Sequence, residues 1–444
     1  MSKSPTIRSA TVVDVRVPTS DSLFGSDPFH KKPNYSVVLT TLETDSGLQG
    51  ISVSFTIGAG TDWMVHAVKD LAQLAVGIDL AAFSRDPGAF HRQLVDHHQL
   101  RWLADGVNRM AIGALVNALW DLWAKMEDKP LWKLLADLPP EAIVESIDWR
   151  YLRDALTPDE ALEILRSRRD GIPKREEPLL RQGPKAYCTA GWLGLTDEQI
   201  GETIDRMKAT GFDCFKMKVG ENRQNDIERL EFIRGVIGSD ARLMLDANQV
   251  WSVDETIDYM QDLVQFQPTW IEEPTARDEV LGLLKISEAL APHGVGVATG
   301  EQVPSPVIFK QLLSSKAINF CQIDATRLGG VNDVLAVILM AAKYEIPVCP
   351  HGGGIGLCNM IVHYALWDQI CVAGHSENQV VEYIDSFQTG VFHHPIQVAN
   401  GSYVTPTVPG WGLEMLEDYV ARHTYPTGEV WVGREASGGV TFLA

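Results

Sequence analysis

Short apolar runs that end in charged residues recur along the second half of the chain. The clearest four end at Lys218, Asp246, Glu272 and Glu301, about 28 residues apart, close to the roughly 30 residues of one strand–helix–strand unit. Apolar runs of this length between helical stretches are typical of buried parallel strands. The pattern therefore predicts successive βαβ units with charged side chains at the C-terminal ends of their strands.

The same alternation predicts eight strands between residues 185 and 400. Capping boxes at Thr196 and Ser252 mark the starts of two of the intervening helices. The first strand is 187–190, the next four end at the charged residues above, and the last three are 320–324, 347–350 and 379–384. This is the pattern of a (β/α) barrel, which places its chemistry at the C-terminal strand ends.

Residues 1–140 show a different pattern. Three β-rich stretches predict an antiparallel sheet: 7–17, 36–43 and 48–56. A helical region follows, and its stretch 110–126 is apolar nearly all round, which is typical of a buried helix. We interpret this part as an α+β domain.

Two further segments flank the barrel. Residues 141–184 contain a predicted helix, 158–169, and then a mixed-charge stretch with three prolines. We interpret that stretch as an exposed connecting loop with solvated charges. Residues 401–444 are rich in Pro and Gly, and we expect them to pack back on the first domain.

Composition narrows the functional classes. The 444 residues carry a formal net charge of −20 and no block of Lys and Arg, which argues against nucleic acid and anionic membrane surfaces as partners. The six cysteines form no Cys-x-x-Cys pair, and no apolar run is long enough to span a membrane. We expect a cytoplasmic protein that acts on a small molecule.

Three carboxylates are candidate metal ligands. Asp246, Glu272 and Glu301 end consecutive predicted strands. Alone, each would be an ordinary helix cap or solvated group, but three hard oxygen donors at one barrel edge favour Mg²⁺. Glu273 should point to the other face of its strand.

Two lysines and a histidine are candidate acid–base groups. Lys216 and Lys218 are two residues apart and should both face the barrel interior, where burial near a cation lowers a lysine pKa and makes a base. A structural ion pair is the alternative for Lys216. Asp324 and His351 end the sixth and seventh strands and would form an oriented acid–base pair. Glu382 could donate a hydrogen bond if its site keeps it protonated.

These motifs resemble the enolase superfamily, mandelate racemase subgroup. The residues that carry the resemblance are Lys216-x-Lys218, Asp246-Ala247-Asn248, Ile271-Glu272-Glu273-Pro274, Thr299-Gly300-Glu301, Asp324 and His351. The resemblance implies an α/β fold: a (β/α)7β modified TIM barrel (185–400) with an N-terminal α+β capping domain (1–140), joined by 141–184. The C-terminal segment 401–444 would complete the capping domain.

The chain is most similar in motif to acid-sugar dehydratases of the L-fuconate and L-galactonate type. The resemblance implies that Lys218 removes the C2 proton, Lys216 supports the substrate carboxylate and His351, oriented by Asp324, expels the C3 hydroxyl. Glu382 would hydrogen-bond the enediolate. The expected substrate contacts are Asn248, Ser26, Phe55 and Trp102.

The loops that should read the substrate depart from the fuconate dehydratase pattern, at 20–33, 55–62, 101–107 and 302–306. The resemblance therefore predicts Mg²⁺-dependent dehydration to a 2-keto-3-deoxy sugar acid and leaves the sugar open. Two alternatives remain: a racemase or epimerase of a hydroxy or sugar acid, and a non-catalytic sugar-acid binding protein. A homo-oligomer is expected from the family alone.

Overall fold

The computed structural model describes residues 4–103 and 105–434. The strands, in chain order, are β1 Ile7–Arg16, β2 Ser36–Thr44, β3 Gln49–Thr56, β4 Ala186–Gly191, β5 Cys214–Lys218, β6 Arg242–Asp246, β7 Trp270–Glu272, β8 Gly296–Thr299, β9 Phe320–Cys321, β10 Val381–Tyr383, β11 Val398–Ala399 and β12 Ser402–Tyr403.

The helices of the first half are α1 Thr61–Ala72, α2 Leu80–Arg85, α3 Pro87–Val95, α4 Val107–Met126, α5 Leu131–Asp137, α6 Pro140–Ser146, α7 Pro158–Arg169 and α8 Ile172–Arg181. Those of the second half are α9 Asp197–Ala209, α10 Arg223–Ile237, α11 Val253–Leu263, α12 Val280–Leu290, α13 Pro306–Ser314, α14 Val331–Lys343, α15 Leu357–Trp367 and α16 Glu417–His423. A π-helix, Asp368–Val372, follows α15.

Strands β1 to β3 form an antiparallel sheet in sequence order, as predicted. Helix α4 packs between this sheet and the barrel, which explains its nearly uniform apolar surface. Its backbone at Ala114 accepts a hydrogen bond from Ser52 Oγ (2.6 Å), and its Asn117 donates Nδ2 to the Ala325 carbonyl of the barrel (2.9 Å). The predicted burial of this helix is confirmed.

The barrel is a curled parallel sheet in the order β10-β4-β5-β6-β7-β8-β9. The gap between β9 and β10 is filled by residues 347–350, because Cys349 N donates to the Cys321 carbonyl (2.8 Å) and Glu382 N donates to the Pro350 carbonyl (3.3 Å). This segment makes a single β-bridge, at Val348. The predicted fold class is confirmed, and the C-terminal strand ends face the capping domain.

The stretch that we interpreted as a loop before β4 contains helix α8, so that prediction was wrong. Pro173 lies in the first turn, where the missing N–H costs nothing. Pro178 lies inside the helix and removes one backbone donor. Two ion pairs stabilise the helix: Glu176 with Lys133 at 3.0 Å and Glu177 with Arg181 at 3.2 Å.

The C-terminal segment returns to the capping domain. Trp411 N donates to Asp121 of α4 (2.8 Å), and Trp431 Nε1 donates to the Arg16 carbonyl of β1 (2.9 Å). The hairpin of β11 and β12 lies across the predicted boundary at residue 400, and residues 435–444 lie outside the described part of the chain. Within the described residues, no helix is long and apolar enough to cross a membrane.

Candidate active site

The three predicted metal ligands meet at the C-terminal edge of the barrel. Asp246 and Glu272 are the last residues of β6 and β7, and Glu301 lies two residues beyond β8. All three are buried, and one oxygen of each lies within 4.8 Å of the others. Carboxylates this close oppose one another's ionisation unless a cation lies among them.

Hydrogen bonds orient the central carboxylate of this group. Glu272 Oε2 accepts from Gln322 Nε2 (2.7 Å) and from Trp270 Nε1 (3.1 Å). Burial and the adjacent Asp246 raise the pKa of Glu272, whereas Glu301 Oε2 is buried with no hydrogen-bond partner. A hard-oxygen donor set with an unpartnered buried oxygen fits Mg²⁺.

Glu273 is also buried but turns away from this group. Its carboxylate accepts from Gln249 Nε2 (2.9 Å) and Gln302 Nε2 (3.3 Å). Its backbone has a φ of 41°, a left-handed conformation that is uncommon for a residue with a side chain. Its two amide partners satisfy both carboxylate oxygens.

Both lysines of β5 point into the site. Lys218 Nζ lies 2.5 Å from Asp246 Oδ2 and donates to Asn248 Oδ1 (2.8 Å). Lys216 Nζ lies 2.6 Å from Glu272 and 3.0 Å from Glu382. The strand thus presents the two ammonium groups side by side above the carboxylates.

The pKa of Lys218 depends on the charges around its amine. Burial acts to lower it, but the carboxylates of Asp246 and Glu301 outweigh that effect and raise the pKa. The predicted depression of this pKa rests on a cation held by these carboxylates, and it stays a prediction. A cation among those carboxylates reverses this local field.

His351 and Asp324 form the predicted pair. His351 Nδ1 lies 2.8 Å from Asp324 Oδ2, and Asp324 Oδ1 accepts from Thr326 N (2.6 Å). His351 Nε2 lies 3.4 Å from Glu301 Oε2. Burial lowers the His351 pKa, but Glu301 and Asp324 outweigh it and raise the pKa to about 9. The contact with Asp324 favours the protonated imidazole, which can act as an acid.

Glu382 differs from the expectation of a protonated donor. Its carboxylate accepts hydrogen bonds from Gly352 N (2.9 Å) and the Thr189 hydroxyl, and lies 3.0 Å from Lys216 Nζ. Burial acts to raise its pKa, but Lys216 and His351 lower the pKa to about 2. Glu382 is therefore an ionised acceptor in this arrangement.

These groups open into a cavity of about 320 Å³ between the barrel and the capping domain. The predicted residues that line it are Phe55, Lys216, Lys218, Asn248, Glu301, His351 and Glu382. Asp246, Glu272 and Asp324 lie beneath these, in contact with the lining lysines and His351.

Two predicted substrate contacts do not line the cavity. Trp102 is 90% exposed, because it lies in a short turn on the surface. Residue 104 of the same loop lies outside the described residues. Ser26 Oγ instead accepts from Gly194 N (2.8 Å), so this side chain ties the first loop of the capping domain to the barrel.

The sequence interpretation missed several cavity residues, of which Arg327 is the clearest. Its Nη1 lies 3.4 Å from Met110 Sδ, and its Nε is buried without a hydrogen-bond partner. A cation three residues after the strand-end Asp324 was the available indication. Asp27 and His30 also line the cavity, where His30 Nδ1 lies 2.9 Å from Asp27 Oδ2.

Family models match both halves of the chain. A model described as "Mandelate racemase / muconate lactonizing enzyme, N-terminal domain" matches residues 7–136. A model described as "Enolase C-terminal domain-like" matches residues 199–419. The second match contains the strand ends that carry the carboxylates, lysines and His351.

Curated relatives match nearly the whole chain. Human mitochondrial enolase superfamily member 1 is 46% identical over 95% of this chain and 96% of the relative. Its crystal structure superposes with a TM-score of 0.95, covering 97% of this chain and 98% of that one. L-galactonate dehydratase of Hypocrea jecorina is 44% identical over 93% of this chain and 92% of its own length.

A more distant structure shares the fold. L-talarate/galactarate dehydratase from Salmonella typhimurium LT2, solved with Mg and L-lyxarohydroxamate, has a TM-score of 0.73 at 22% identity, covering 95% of this chain and 93% of that one. At this identity the likeness concerns the fold alone.

Proposed function

The chain belongs to the enolase superfamily, mandelate racemase/muconate lactonizing enzyme family, and from this premise we propose that it is a Mg²⁺-dependent acid-sugar dehydratase. The observation that carries the proposal is that Lys218 and the Asp324-bound His351 line one cavity beside the three carboxylates. The similarity to an L-galactonate dehydratase supports the same reaction class.

Lys218 is the proposed base. It takes the proton from C2 of the substrate, and the electron pair of the broken C–H bond forms an enediolate with the carboxylate. Asn248 holds the amine at 2.8 Å, so Lys218 is positioned before the substrate arrives. Mg²⁺ held by Asp246, Glu272 and Glu301 would act as a Lewis acid on the substrate carboxylate.

His351 is the proposed acid. Its Nε2 proton goes to the C3 hydroxyl, the C3–O bond breaks and water leaves, while the enediolate electrons form the C2–C3 double bond. The resulting enol converts to the 2-keto-3-deoxy acid. Lys216 pairs with the substrate carboxylate, and Glu382 holds Lys216 in place at 3.0 Å.

The proposed substrate is a small hydroxylated acid of the L-galactonate or L-fuconate type. A cavity of about 320 Å³ is suited to such a ligand. The charged and polar side chains of Asp27, His30, Arg327 and Gln302 also line it, so hydroxyls along the sugar would meet donors and acceptors.

The test is a panel of six-carbon sugar acids incubated with purified protein and Mg²⁺ in D₂O and followed by proton NMR. We expect a 3-deoxy-2-keto product from one of them. Inverted configuration without loss of water would instead identify an epimerase, which needs the same two groups. Binding without exchange at C2 would identify a non-catalytic protein.

Two substitutions separate proton removal at C2 from the elimination of water. We expect His351→Asn to keep the rate of deuterium exchange at C2 and to lower the rate of water elimination by roughly 10²–10⁴-fold. Lys218→Ala should lower both rates by a similar factor. The control His98→Asn changes an exposed histidine and should leave both rates unchanged. Normal turnover of Lys218→Ala would contradict the assignment.

A further inference from the structure

A second cavity, of about 620 Å³, lies at the opposite end of the barrel. Lys185 and Asp213, which line it, immediately precede β4 and β5, so the cavity lies at the N-terminal ends of the strands. Helix α8, the π-helix and the hairpin of β11 and β12 close its sides. It shares no lining residue with the active-site cavity.

An unpartnered amide lines this cavity. Gln369 belongs to the π-helix, and π-helical segments are frequent at functional sites. The residue is only 2% exposed, and neither its Oε1 nor its Nε2 has a hydrogen-bond partner. An unsatisfied buried amide is costly. Its donor and acceptor together suit a hydroxyl group, which can also donate and accept.

The charges that line the cavity are mostly positive, although the whole chain has a formal net charge of −20. The cationic side chains of Lys174, Arg175 and Lys185 line it, and Asp213 is the one carboxylate among the lining residues described. The carboxylate of Asp213 is already paired, because Lys185 Nζ donates a hydrogen bond to it at 2.7 Å.

Arg175 is held in place without a carboxylate contact among the described residues. Its Nε donates to the Ile370 carbonyl (2.7 Å), and its Nη2 donates to the Arg168 carbonyl. A Cβ at Gly171 would lie 2.1 Å from Arg175 Nη1, so the glycine makes room for the guanidinium. The neighbouring Glu176 pairs with Lys133 instead.

We propose that this cavity binds a small hydroxylated organic anion, with Lys174 and Arg175 on its carboxylate or phosphate and Gln369 on a hydroxyl. The mixed-charge stretch before β4, which the sequence interpretation treated as solvated, would thus supply the cations. The proposal does not depend on the catalytic reaction.

The test is calorimetric titration of the full chain, in EDTA and at constant ionic strength, with three probes: inorganic phosphate, glycerol 3-phosphate and gluconate. We expect the hydroxylated anions to bind more tightly than inorganic phosphate. Lys174→Glu should weaken the preferred anion by about tenfold, and Lys69→Glu, which reverses an exposed lysine of the capping domain, should have no effect.

Gln369→Leu tests the hydroxyl contact separately. We expect this variant to bind glycerol 3-phosphate or gluconate only as tightly as inorganic phosphate. Its affinity for inorganic phosphate itself should not change. The stronger of the two hydroxylated probes identifies the anionic group as phosphate or carboxylate. No binding by the wild type, or equal weakening by Lys174→Glu and Lys69→Glu, would overturn the proposal.

Discussion

At the residue scale, the carboxylates of Asp246, Glu272 and Glu301 repel one another because they are buried close together. Their oxygens lie within 4.8 Å of one another, and only Asp246 and Glu272 have an adjacent lysine at 2.5 to 2.6 Å. Glu301 Oε2 has no hydrogen-bond partner. The nearest cationic group to this oxygen is His351 Nε2, at 3.4 Å.

We expect Mg²⁺ to raise the melting temperature of the wild type, and Glu301→Gln to lose most of this stabilisation. A ligand at 100 times its Kd stabilises a protein by about 2.7 kcal/mol, and loss of one anionic ligand removes most of that gain. The measurement is a melting curve with and without Mg²⁺. Glu288→Gln, on an exposed position of α12, is the control. An unchanged Mg²⁺ effect in Glu301→Gln would contradict the metal site.

Arg327 provides a second prediction at this scale. Its guanidinium lines the active-site cavity and its Nε has no partner, so it should hydrogen-bond a substrate group. We expect Arg327→Met to lower kcat/KM by about 10- to 100-fold, the effect of losing a hydrogen bond to a charged group, mainly through KM. Steady-state kinetics measure this, with Arg85→Met at an exposed position of α2 as control.

The residues at strand ends could be predicted because strand period and chain order suffice to bring them together. Phe55, Asn248 and the acid–base groups reached the cavity for that reason. Trp102 and Ser26 did not, because loop side chains follow the path of the loop and not a strand period. The direction of the Lys218 pKa shift depends on the charges that surround the amine, a bound cation included, and the strand period does not reveal them.

At the scale of elements, the contact between α4 and the barrel depends on a glycine. A Cβ at Gly113 would lie 2.3 Å from the Leu328 carbonyl oxygen and 3.0 Å from Gly330 N. Both are backbone atoms, so the loop before α14 would have to move. The helix can approach the barrel this closely only while position 113 has no side chain.

We expect Gly113→Ala to destabilise the protein by up to about 2 kcal/mol, although alanine is the better helix former. Overpacking typically costs 1–3 kcal/mol, and helix propensity returns about 1 kcal/mol. Urea unfolding of both proteins measures the difference. Gly235→Ala is the matched control in α10, where a Cβ meets nothing within 4 Å, and it should stabilise by about 0.5–1 kcal/mol.

Element types were predictable where the apolar period was long and regular, as in α4 and β5. Helix α8 was missed because Pro173 and Pro178 resemble loop residues, and the ion pair of Glu176 with the distant Lys133 does not show in a local sequence pattern. Residues 347–350 were predicted as a full strand but make one bridge, because β9 beside them is only two residues long.

At the scale of the whole molecule, His363 lies where the barrel, the capping domain and the C-terminal segment meet. Its Nδ1 accepts a hydrogen bond from Trp132 N (3.1 Å), and its ring packs edge-on against Trp411. Burial lowers its pKa to about 3, whereas in the unfolded chain a histidine pKa is about 6.5. The unfolded state therefore binds a proton first as the pH falls.

Stability from His363 is fully present above pH 6.5 and is lost as the pH falls towards 3. Between pH 7.5 and 5 we expect this group to cost about 2 kcal/mol of unfolding free energy, at 1.36 kcal/mol per pH unit. Urea unfolding at both pH values should show that His363→Gln removes this loss. An unchanged pH dependence in that variant would contradict the buried neutral histidine.

Asp368 changes the pH dependence of stability in the opposite direction from His363. Burial raises its pKa to about 7, so the native state takes up a proton between pH 7.5 and 5 while the unfolded carboxylate does not. Urea unfolding at the same two pH values should therefore show that Asp368→Asn increases the loss of stability on acidification.

The oligomeric state, the cellular compartment and the domain boundaries stay predictions.

The return of the C-terminal segment to β1 also sets an order of events during synthesis. Asp14 and Arg16 leave the ribosome early, whereas Tyr425, whose N donates to the Asp14 carbonyl (2.9 Å), and Trp431, which bonds the Arg16 carbonyl, come last. At 5–20 residues per second the first strand waits about 20 to 90 s for these partners. A chain whose translation stalls before Trp411 therefore has an incomplete cap, however well its barrel has folded.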